Sequence, residues 1–262
     1  MTTIDLIIPV FNEEKRLQKT FEALNSFAPQ KGLKVQKVIF INDGSADSTL
    51  KLIKTTKIKF KKHVISYSQN QGKGYAVKQG LLAARSDYAL FFDADMSTPL
   101  TEIKKFLPYT KKGCPIIIGT RKNGHSTVIV HQPFVREHLG RIFTRLSQII
   151  LGTSVTDFTC GFKAFSKEAY SVIAPLMQIN RWGYDSEIIF IAQKHQLPIQ
   201  EKSVTWSDEP NTKVKLLKDG FRSLNELFQI RLNYLKGNYD QTNTKKTCHF
   251  PYNRTLPTET TS

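Results

Sequence analysis

Short apolar runs alternate with segments of helical periodicity over the first third of the chain. Residues 4–11 (IDLIIPVF) and 37–41 (KVIFI) are rich in β-branched residues, and polar residues follow each run at once, as is typical of buried parallel strands. Between them, apolar residues recur at helical spacing at Leu17, Phe21 and Leu24. The sequence therefore predicts a β-α-β unit, in which a helix joins two parallel strands.

The same alternation continues to residue 92. Apolar periodicity predicts helices at about 48–55 and 74–84, and short β-rich runs predict strands at 64–67 and 88–92. Strands and helices in this order favour an open, mostly parallel α/β sheet with helices on both faces. Ligands of such sheets bind just outside the carboxyl ends of the strands, so we expect the functional site at that edge.

Polar residues follow each predicted strand and should gather in one crevice at this edge of the sheet. They are Asn12 and Glu13 after the first strand, Asn42, Asp43 and Gly44 after the second, the segment 70–74 with Lys73 after the third, and Asp93 and Asp95 after the fourth. Pro9 and Phe11, at the end of the first strand, should lie beside them. The sequence therefore predicts a binding crevice built from four loops.

Two carboxylates, Asp93 and Asp95, stand one alanine apart directly after the apolar run "ALFF". Oxygen ligands in this arrangement suit Mg²⁺ or Mn²⁺, which can also bridge a diphosphate. The spacing alone is common in loops, but its place at the end of a buried strand favours a metal site. We therefore expect Mg²⁺ or Mn²⁺ as cofactor, with Asp95 and Asp93 as its ligands.

Two further loop sequences can each be explained either by ligand binding or by an ordinary turn or helix cap. The stretch "NQGKGYAVKQG" places Lys73 between glycines just before a helix, which suits a phosphate group, although it lacks the Walker spacing and could be an ordinary helix cap. "INDGSADST" is typical of a turn followed by a helix cap. In the crevice, Asp43 could also accept hydrogen bonds from a nucleobase or ribose.

The chain is strongly basic, with 38 Lys and Arg residues against 22 Asp and Glu and a formal net charge of +16. This charge favours an anionic partner, which could be nucleic acid, a phosphorylated metabolite or a phospholipid surface. Residues 134–151 and 214–235 have the pattern of basic amphipathic helices. Such helices either lie in a membrane interface or pack on the sheet with their charges in water.

The remaining composition concerns compartment and boundaries. Cys114, Cys160 and Cys248 are odd in number and lack metal-ligand spacing, which favours a reduced compartment over a disulfide framework. The sequence shows no secretory signal pattern and no run of apolar residues long enough to span a bilayer, so a cytoplasmic protein is expected. One domain over 1–237 and a flexible polar tail over 238–262 are predicted.

With these clusters in this order, the sequence resembles the family 2 glycosyltransferases of GT-A fold, a Rossmann-like α/β architecture, and in particular the polyprenyl-phosphate sugar synthases. The resemblance covers about residues 4–234. "CGFKAF", "RWGYDSE" and "VTW" are most similar to the dolichyl-phosphate glucosyltransferase branch. The other motifs that carry it are "IIPVFNEE", "INDGSADST", "GKGYAVKQG", "FFDADMST", "GTR" and "VTWSDEPNTKV".

The resemblance implies a metal-dependent, inverting hexosyltransferase that moves a sugar from a nucleotide-sugar donor to a polyprenyl or dolichyl phosphate. Glucose from UDP-glucose is expected, with the protein held peripherally at the cytoplasmic face of an anionic membrane. The implied donor site comprises Pro9, Phe11, Glu13, Asp43, Lys73, Asp93, Ala94 and Asp95. Catalytic roles are implied for Asp95, Arg121, Asp185 and Lys213.

Acceptor phosphate binding is expected from Arg121 and Lys213 by motif position, and from Arg136 and Arg141 by their place on a basic helix. Asp185 and Glu187 stand where other transferases of this fold carry an acidic pair. They could position sugar hydroxyls, and for Glu187 a structural role is an equal alternative.

Some positions depart from the mannosyl members of the family. Ser97 and Ser207 stand where those members tend to carry Gln and Arg, which argues against GDP-mannose and leaves a third side-chain metal ligand open. GDP-mannose as donor and a hydroxyl acceptor, which would need a general base, are the alternatives within the fold. A basic nucleic-acid-binding protein is the alternative outside it. No helix-turn-helix or RNP-like motif supports it, and Asp93 and Asp95 would repel phosphates.

Overall fold

A computed structural model describes residues 1–122, 128–130, 134–207 and 216–240. The strands of the main sheet are β1 (Thr2–Val10), β2 (Leu33–Asp43), β3 (Lys62–Tyr67), β4 (Tyr88–Phe92), β5 (Ile116–Thr120), β7 (Phe162–Ser166) and β8 (Ile199–Ser203), and β6 (Val128–Val130) pairs with β9 (Trp206–Ser207) in a small second sheet. The helices are α1 (Leu17–Ser26), α2 (Thr49–Thr55), α3 (Lys73–Ala83), α4 (Leu107–Lys111), α5 (Phe134–Leu151), α6 (Lys167–Leu176), α7 (Tyr184–Lys194) and α8 (Leu216–Leu235), with a 3-10 helix at Leu100–Lys105.

The seven strands of the main sheet lie in the order β3-β2-β1-β4-β7-β5-β8. Neighbouring strands are parallel except at β7, which runs antiparallel to both β4 and β5. The mostly parallel α/β sheet predicted from the sequence is confirmed. The reversed β7 has a direct consequence for the site, because its first residues lie at the edge where β1 to β5 end.

Alternate residues of the central strands enter two separate cores. Ile7 and Phe91 belong to a core with α3, α6 and α7, whereas Leu6 and Leu90 belong to a core with α1. Gly80 lets α3 lie directly on the sheet, since a Cβ at this position would come within 2.4 Å of the Ile7 Cγ2 atom. Helices therefore cover both faces of the sheet, as expected.

The two long basic segments predicted as helices are α5 and α8. They contact each other and α7, and Leu151, Leu227 and Ile230 join the core on that side. Of the two explanations for their amphipathic pattern, packing on the domain therefore accounts for one face of each helix.

The packed chain continues past residue 237. Tyr239 is 1% exposed, and its hydroxyl donates a 2.7 Å hydrogen bond to Glu187. Packing against the Phe190 ring holds the Tyr239 side chain in the same core. Tyr239 thus packs with the domain, and the division into a domain over 1–237 and a tail over 238–262 stays a prediction.

Candidate active site at the carboxyl edge of the sheet

Asp93 is held between two elements at the end of β4. Its Oδ1 atom lies 2.6 Å from the ammonium of Lys73, the first residue of α3. On the other side it abuts Gly161, where a Cβ would come within 2.1 Å of the Asp93 Oδ2 atom. Because β7 is reversed, Gly161, the residue before it, lies against Asp93, where any larger residue would collide with the carboxylate.

Three carboxylates, those of Asp93, Asp95 and Asp185, act on the single ammonium group of Lys73. Burial by itself lowers the pKa of Lys73, but attraction to Asp93, Asp185 and Asp95 outweighs it and leaves that pKa raised. Burial also raises the pKa of Asp93, and repulsion from Asp95 opposes the attraction to Lys73. The raised pKa of Lys73 follows from the surrounding negative charge, whereas that of Asp93 follows first from burial and then from repulsion by Asp95 and Asp185. A bound cation would relieve this repulsion.

Asp95 occupies a tight turn. Met96 has a left-handed backbone (φ 57°), and the Ser97 amide donates a 2.9 Å hydrogen bond to the Asp95 Oδ1 atom. The Thr20 hydroxyl fixes the turn from behind by donating to the Ala94 carbonyl at 2.6 Å. Ser97 therefore contacts Asp95 through its main chain.

The residues present suit a cation that binds together with a phosphate ligand. Within the described ranges, no group of three or more His, Cys, Asp and Glu side chains is arranged around a common metal position. Asp93 already pairs with Lys73, so Asp95 would be the main protein ligand of such a cation. Mg²⁺ is commonly held by one or two carboxylates with substrate phosphates supplying further oxygens, so the donor set fits in that form.

Asp43 fastens the glycine-rich loop that precedes α3. Its buried carboxylate accepts hydrogen bonds from the Asn70 side chain (2.7 Å), the Gln71 amide (2.7 Å) and the Gly72 amide (3.0 Å). Gly72 has a φ of 109°, and a Cβ there would come within 2.3 Å of a main-chain oxygen. The contact of Asp43 with a base or ribose stays a prediction, but its role in shaping the loop is evident.

The loops after β1 and β2 are tied together. Asn12 adopts a left-handed backbone (φ 52°), and its side chain accepts a 2.8 Å hydrogen bond from the Ala46 amide. The Glu13 amide donates to the Thr49 hydroxyl at 2.7 Å. Pro9 lies at the end of β1, and Phe11 is 37% exposed beside these contacts. An exposed ring on a fixed loop offers a stacking surface for a planar ligand group.

Asp185 forms an ion pair that the sequence analysis missed. The ammonium of Lys163 on β7 is fully buried and lies 2.6 Å from the Asp185 Oδ1 atom and 2.7 Å from the Cys160 carbonyl. Asp185 itself lies in the first turn of α7 and is 6% exposed. A lysine inside the apolar run "FKAFS" was the available signal, because a buried lysine almost always has a partner.

Glu187, two residues along the same helix, serves the structure. Its carboxylate is fully buried and accepts hydrogen bonds from the amides of Gln178 (2.8 Å) and Ile179 (2.9 Å) and from the Tyr239 hydroxyl. Burial raises the pKa of Glu187. These three donors satisfy the carboxylate, which favours the structural alternative for this residue.

Arg121 follows β5 and is held by Asp157. Its Nε and Nη2 atoms each lie 2.8 Å from a different oxygen of this fully buried carboxylate, and its guanidinium lies 5.1 Å from the centre of the Trp206 ring. Burial favours neutral Asp157, but attraction to Arg121 prevails and lowers the pKa of Asp157 to about 2. Asp157 is thus a second partner that the sequence analysis did not identify.

The remaining predicted residues stand as follows. Arg141 lies exposed on α5, and Arg136 lies on the same helix with its side chain outside the described part. Lys213 falls between the described ranges. Mutual electrostatic effects link Asp93 to Lys73, Asp95, Asp185 and Arg121, so the structure brings these five predicted residues together.

Comparison with known proteins identifies the family. The family model described as "Glycosyl transferase family 2" matches residues 5–173. Dolichyl-phosphate beta-glucosyltransferase of Dictyostelium discoideum is 32% identical over 247 residues, covering 89% of this chain and 75% of that protein. Its counterpart in Saccharomyces cerevisiae is 30% identical over 254 residues, covering 90% and 76%. Glucosyl-3-phosphoglycerate synthase of Mycobacterium tuberculosis, solved with Mn²⁺, UDP and glucosyl-3-phosphoglycerate, shares the fold with a TM-score of 0.62 at 19% identity, covering 88% of this chain and 79% of that one. The chain therefore belongs to glycosyltransferase family 2.

Proposed function

We propose that this glycosyltransferase moves glucose from UDP-glucose to a dolichyl or polyprenyl phosphate with inversion at the anomeric carbon. The observation that carries the proposal is the turn of Asp93 and Asp95 at the carboxyl end of β4, facing Lys73 at the start of α3. The names of the relatives, dolichyl-phosphate beta-glucosyltransferase, support the choice of sugar and acceptor.

The donor diphosphate has suitable partners on this edge. The amino terminus of α3 and the Lys73 ammonium both attract negative charge. Asp95, with Asp93 beside it, would hold Mg²⁺ or Mn²⁺, and the bound cation would supply charge neutralisation of the departing UDP. Phe11 and Asp43 would meet the base and ribose. The Mn²⁺ and UDP bound to the Mycobacterium tuberculosis enzyme of the same fold support this assignment.

The acceptor is suited to a single displacement. A phosphate monoester is largely anionic at neutral pH, with a second pKa of about 6, so its oxygen can attack the anomeric carbon without a strong base. As the new C–O bond forms, the bond to the UDP oxygen breaks on the opposite side and UDP leaves with the electron pair. An α-linked donor thus gives a β-linked product.

Arg121 would orient that acceptor. Asp157 holds its guanidinium in one geometry by two parallel hydrogen bonds. A fixed guanidinium binds a phosphate with less loss of side-chain freedom than a mobile one. Lys213, Arg136 and Arg141 are proposed as further phosphate contacts. Asp185, fixed by Lys163, would position the sugar hydroxyls.

The outer faces of α5 and α8 support contact with an anionic membrane. Ile142, Leu146 and Ile149 form one exposed apolar stripe on α5. A second stripe on α8 comprises Phe228, Leu232 and Leu235, with Arg141, Arg145 and Arg231 exposed on the same two helices. Exposed apolar side chains with flanking cations are typical of helices that lie in a membrane interface. None of the described helices is both long and apolar enough to cross a bilayer. On the strength of the two apolar stripes and the cations beside them, we propose peripheral attachment at the cytoplasmic face of an anionic membrane.

The test is transfer of radiolabelled glucose from UDP-glucose to dolichyl phosphate in vesicles, with Mn²⁺ or Mg²⁺. GDP-mannose replaces the donor in one arm, and dolichol, which ends in a hydroxyl, replaces the acceptor in another. We expect metal-dependent labelling of dolichyl phosphate from UDP-glucose but not from GDP-mannose. Asp95→Ala should abolish this labelling. Labelling of dolichol, or equal use of GDP-mannose, would overturn the assignment of acceptor or donor.

A further inference from the structure

The ammonium group of Lys73 lies beside Asp93, one of the two proposed ligands of the divalent metal ion. Its ammonium lies 2.6 Å from the Asp93 Oδ1 atom, close enough for a charge-assisted hydrogen bond. As the first residue of α3 it stands at the positive end of that helix, a position that disfavours a cation. The attraction of the crevice carboxylates must therefore hold Lys73 in this position.

The second lysine of the crevice, Lys163, pairs with a different carboxylate. Lys163 is fully buried, and its ammonium lies 2.6 Å from Asp185. Of these two lysines, Lys73 is therefore the one that balances the charge of Asp93 and Asp95. Its side chain is 27% exposed, which leaves the flexible stem room to turn toward a ligand at the mouth of the crevice.

Charge balance shows how this lysine affects metal binding. The four carboxylates Asp93, Asp95, Asp157 and Asp185 and the three cations Lys73, Arg121 and Lys163 together carry a net charge of −1. A divalent cation alone would bring the group to +1 and would stand close to the Lys73 ammonium. A diphosphate arriving with the cation would restore negative charge and offer Lys73 a new anionic partner. Metal alone is thus disfavoured, and metal together with diphosphate is favoured.

We propose that Lys73 is an internal counter-cation that opposes divalent metal binding until the donor diphosphate arrives, and then transfers its contact from Asp93 to that diphosphate. The proposal rests on the proposed function, since it needs a diphosphate donor used with a divalent cation. Its consequence is that metal and nucleotide bind the protein together, with little binding of metal alone.

The test is Lys73→Met, which keeps an unbranched side chain one atom shorter and removes its charge. Binding of Mn²⁺ alone is measured by the electron paramagnetic resonance signal of free Mn²⁺, and binding of UDP with Mn²⁺ by calorimetry. Lys73→Met should bind Mn²⁺ alone about tenfold or more tightly than the wild type, because a nearby like charge is gone. It should bind UDP with Mn²⁺ about tenfold more weakly, because a charged hydrogen bond to the diphosphate is lost.

Lys78→Met is the matched control, because Lys78 lies on the same helix and donates to the Met177 carbonyl at 2.7 Å. It should change neither affinity. Lys73→Gln serves as a second uncharged variant if Lys73→Met unfolds at a lower temperature than the wild type.

The possible failures are distinguishable. Unchanged or weaker binding of Mn²⁺ alone by both uncharged variants, including undetectable binding in every protein, would overturn the counter-cation role. If the wild type binds UDP with Mn²⁺ in that case, the donor assignment stands. If the wild type binds neither UDP nor UDP with Mn²⁺, the proposed donor site itself is wrong.

Discussion

Asp157→Asn tests the reasoning about Arg121 most directly. Asp157 is fully buried and receives the Nε and Nη2 hydrogen bonds of Arg121 at 2.8 Å each, together with its main-chain amide at 3.0 Å. In the variant, one carboxylate oxygen becomes an amide nitrogen that faces these donors. The folded protein therefore keeps a guanidinium that has lost its anionic partner.

The magnitude follows from the pKa of Asp157. Its fall from 3.8 to about 2 corresponds to about 2 to 3 kcal/mol of preference for the carboxylate in the folded chain. Breaking a buried pair by removing one partner typically costs about 3 to 5 kcal/mol. We therefore expect Asp157→Asn to lower the free energy of unfolding by about 3 kcal/mol at pH 7.

The pH dependence has a definite sign. Because folding lowers this pKa, the unfolded chain binds the proton more readily, and the stabilisation is complete above the unfolded value. It is lost as the pH falls from about 4 to about 2. Wild type and Asp157→Asn should therefore differ most at neutral pH and converge on acidification.

Urea unfolding at several pH values between 7 and 3, followed by tryptophan fluorescence, measures this difference. Asp240→Asn, at an exposed carboxylate, is the control and should match the wild type throughout. Equal stability of Asp157→Asn and wild type at pH 7, or a difference that does not shrink toward pH 3, would refute the argument.

Three further changes test other parts of the site. Asp95→Ala should abolish UDP binding that depends on Mn²⁺, measured by calorimetry, and retained binding would place the metal elsewhere. Lys163→Met should lower the free energy of unfolding by about 3 kcal/mol, because it leaves Asp185 buried without its cation. The double variant Lys163→Met with Asp185→Asn should recover part of that loss. Urea unfolding measures both changes. Ile149→Glu with Leu235→Glu should reduce sedimentation with anionic vesicles about tenfold while UDP binding stays unchanged; undiminished sedimentation would exclude this surface.

The local pattern of the first half was readable from the sequence. The β-α alternation predicted β1 to β4 and α1 to α3 closely, because each element buries its apolar residues with its own period. The same pattern placed Asp93 and Asp95 at a strand end. The order of β7 in the sheet and its reversed direction were not predicted, since neither leaves a periodic signal along the chain.

Residue roles depended on contacts between distant parts of the chain. Asp185 and Glu187 are equivalent as sequence, yet Asp185 pairs with Lys163 in the crevice whereas Glu187 receives two loop amides and Tyr239. Both residues lie in the first turn of α7, but side chains two positions apart on a helix point to nearly opposite sides, and only packing decides what each side meets.

By itself, the sequence determined the fold class, the carboxylate pair and the edge of the sheet that holds it, because periodicity and strand ends are local properties. Only the tertiary structure decided three pairings. Lys73 pairs with Asp93, Lys163 holds Asp185, and Asp157 holds Arg121. The Arg121 and Asp157 side chains meet across 36 residues of sequence. The low polarity of the interior makes an unpaired charge costly, so the fold had to bring each of these cations to a carboxylate.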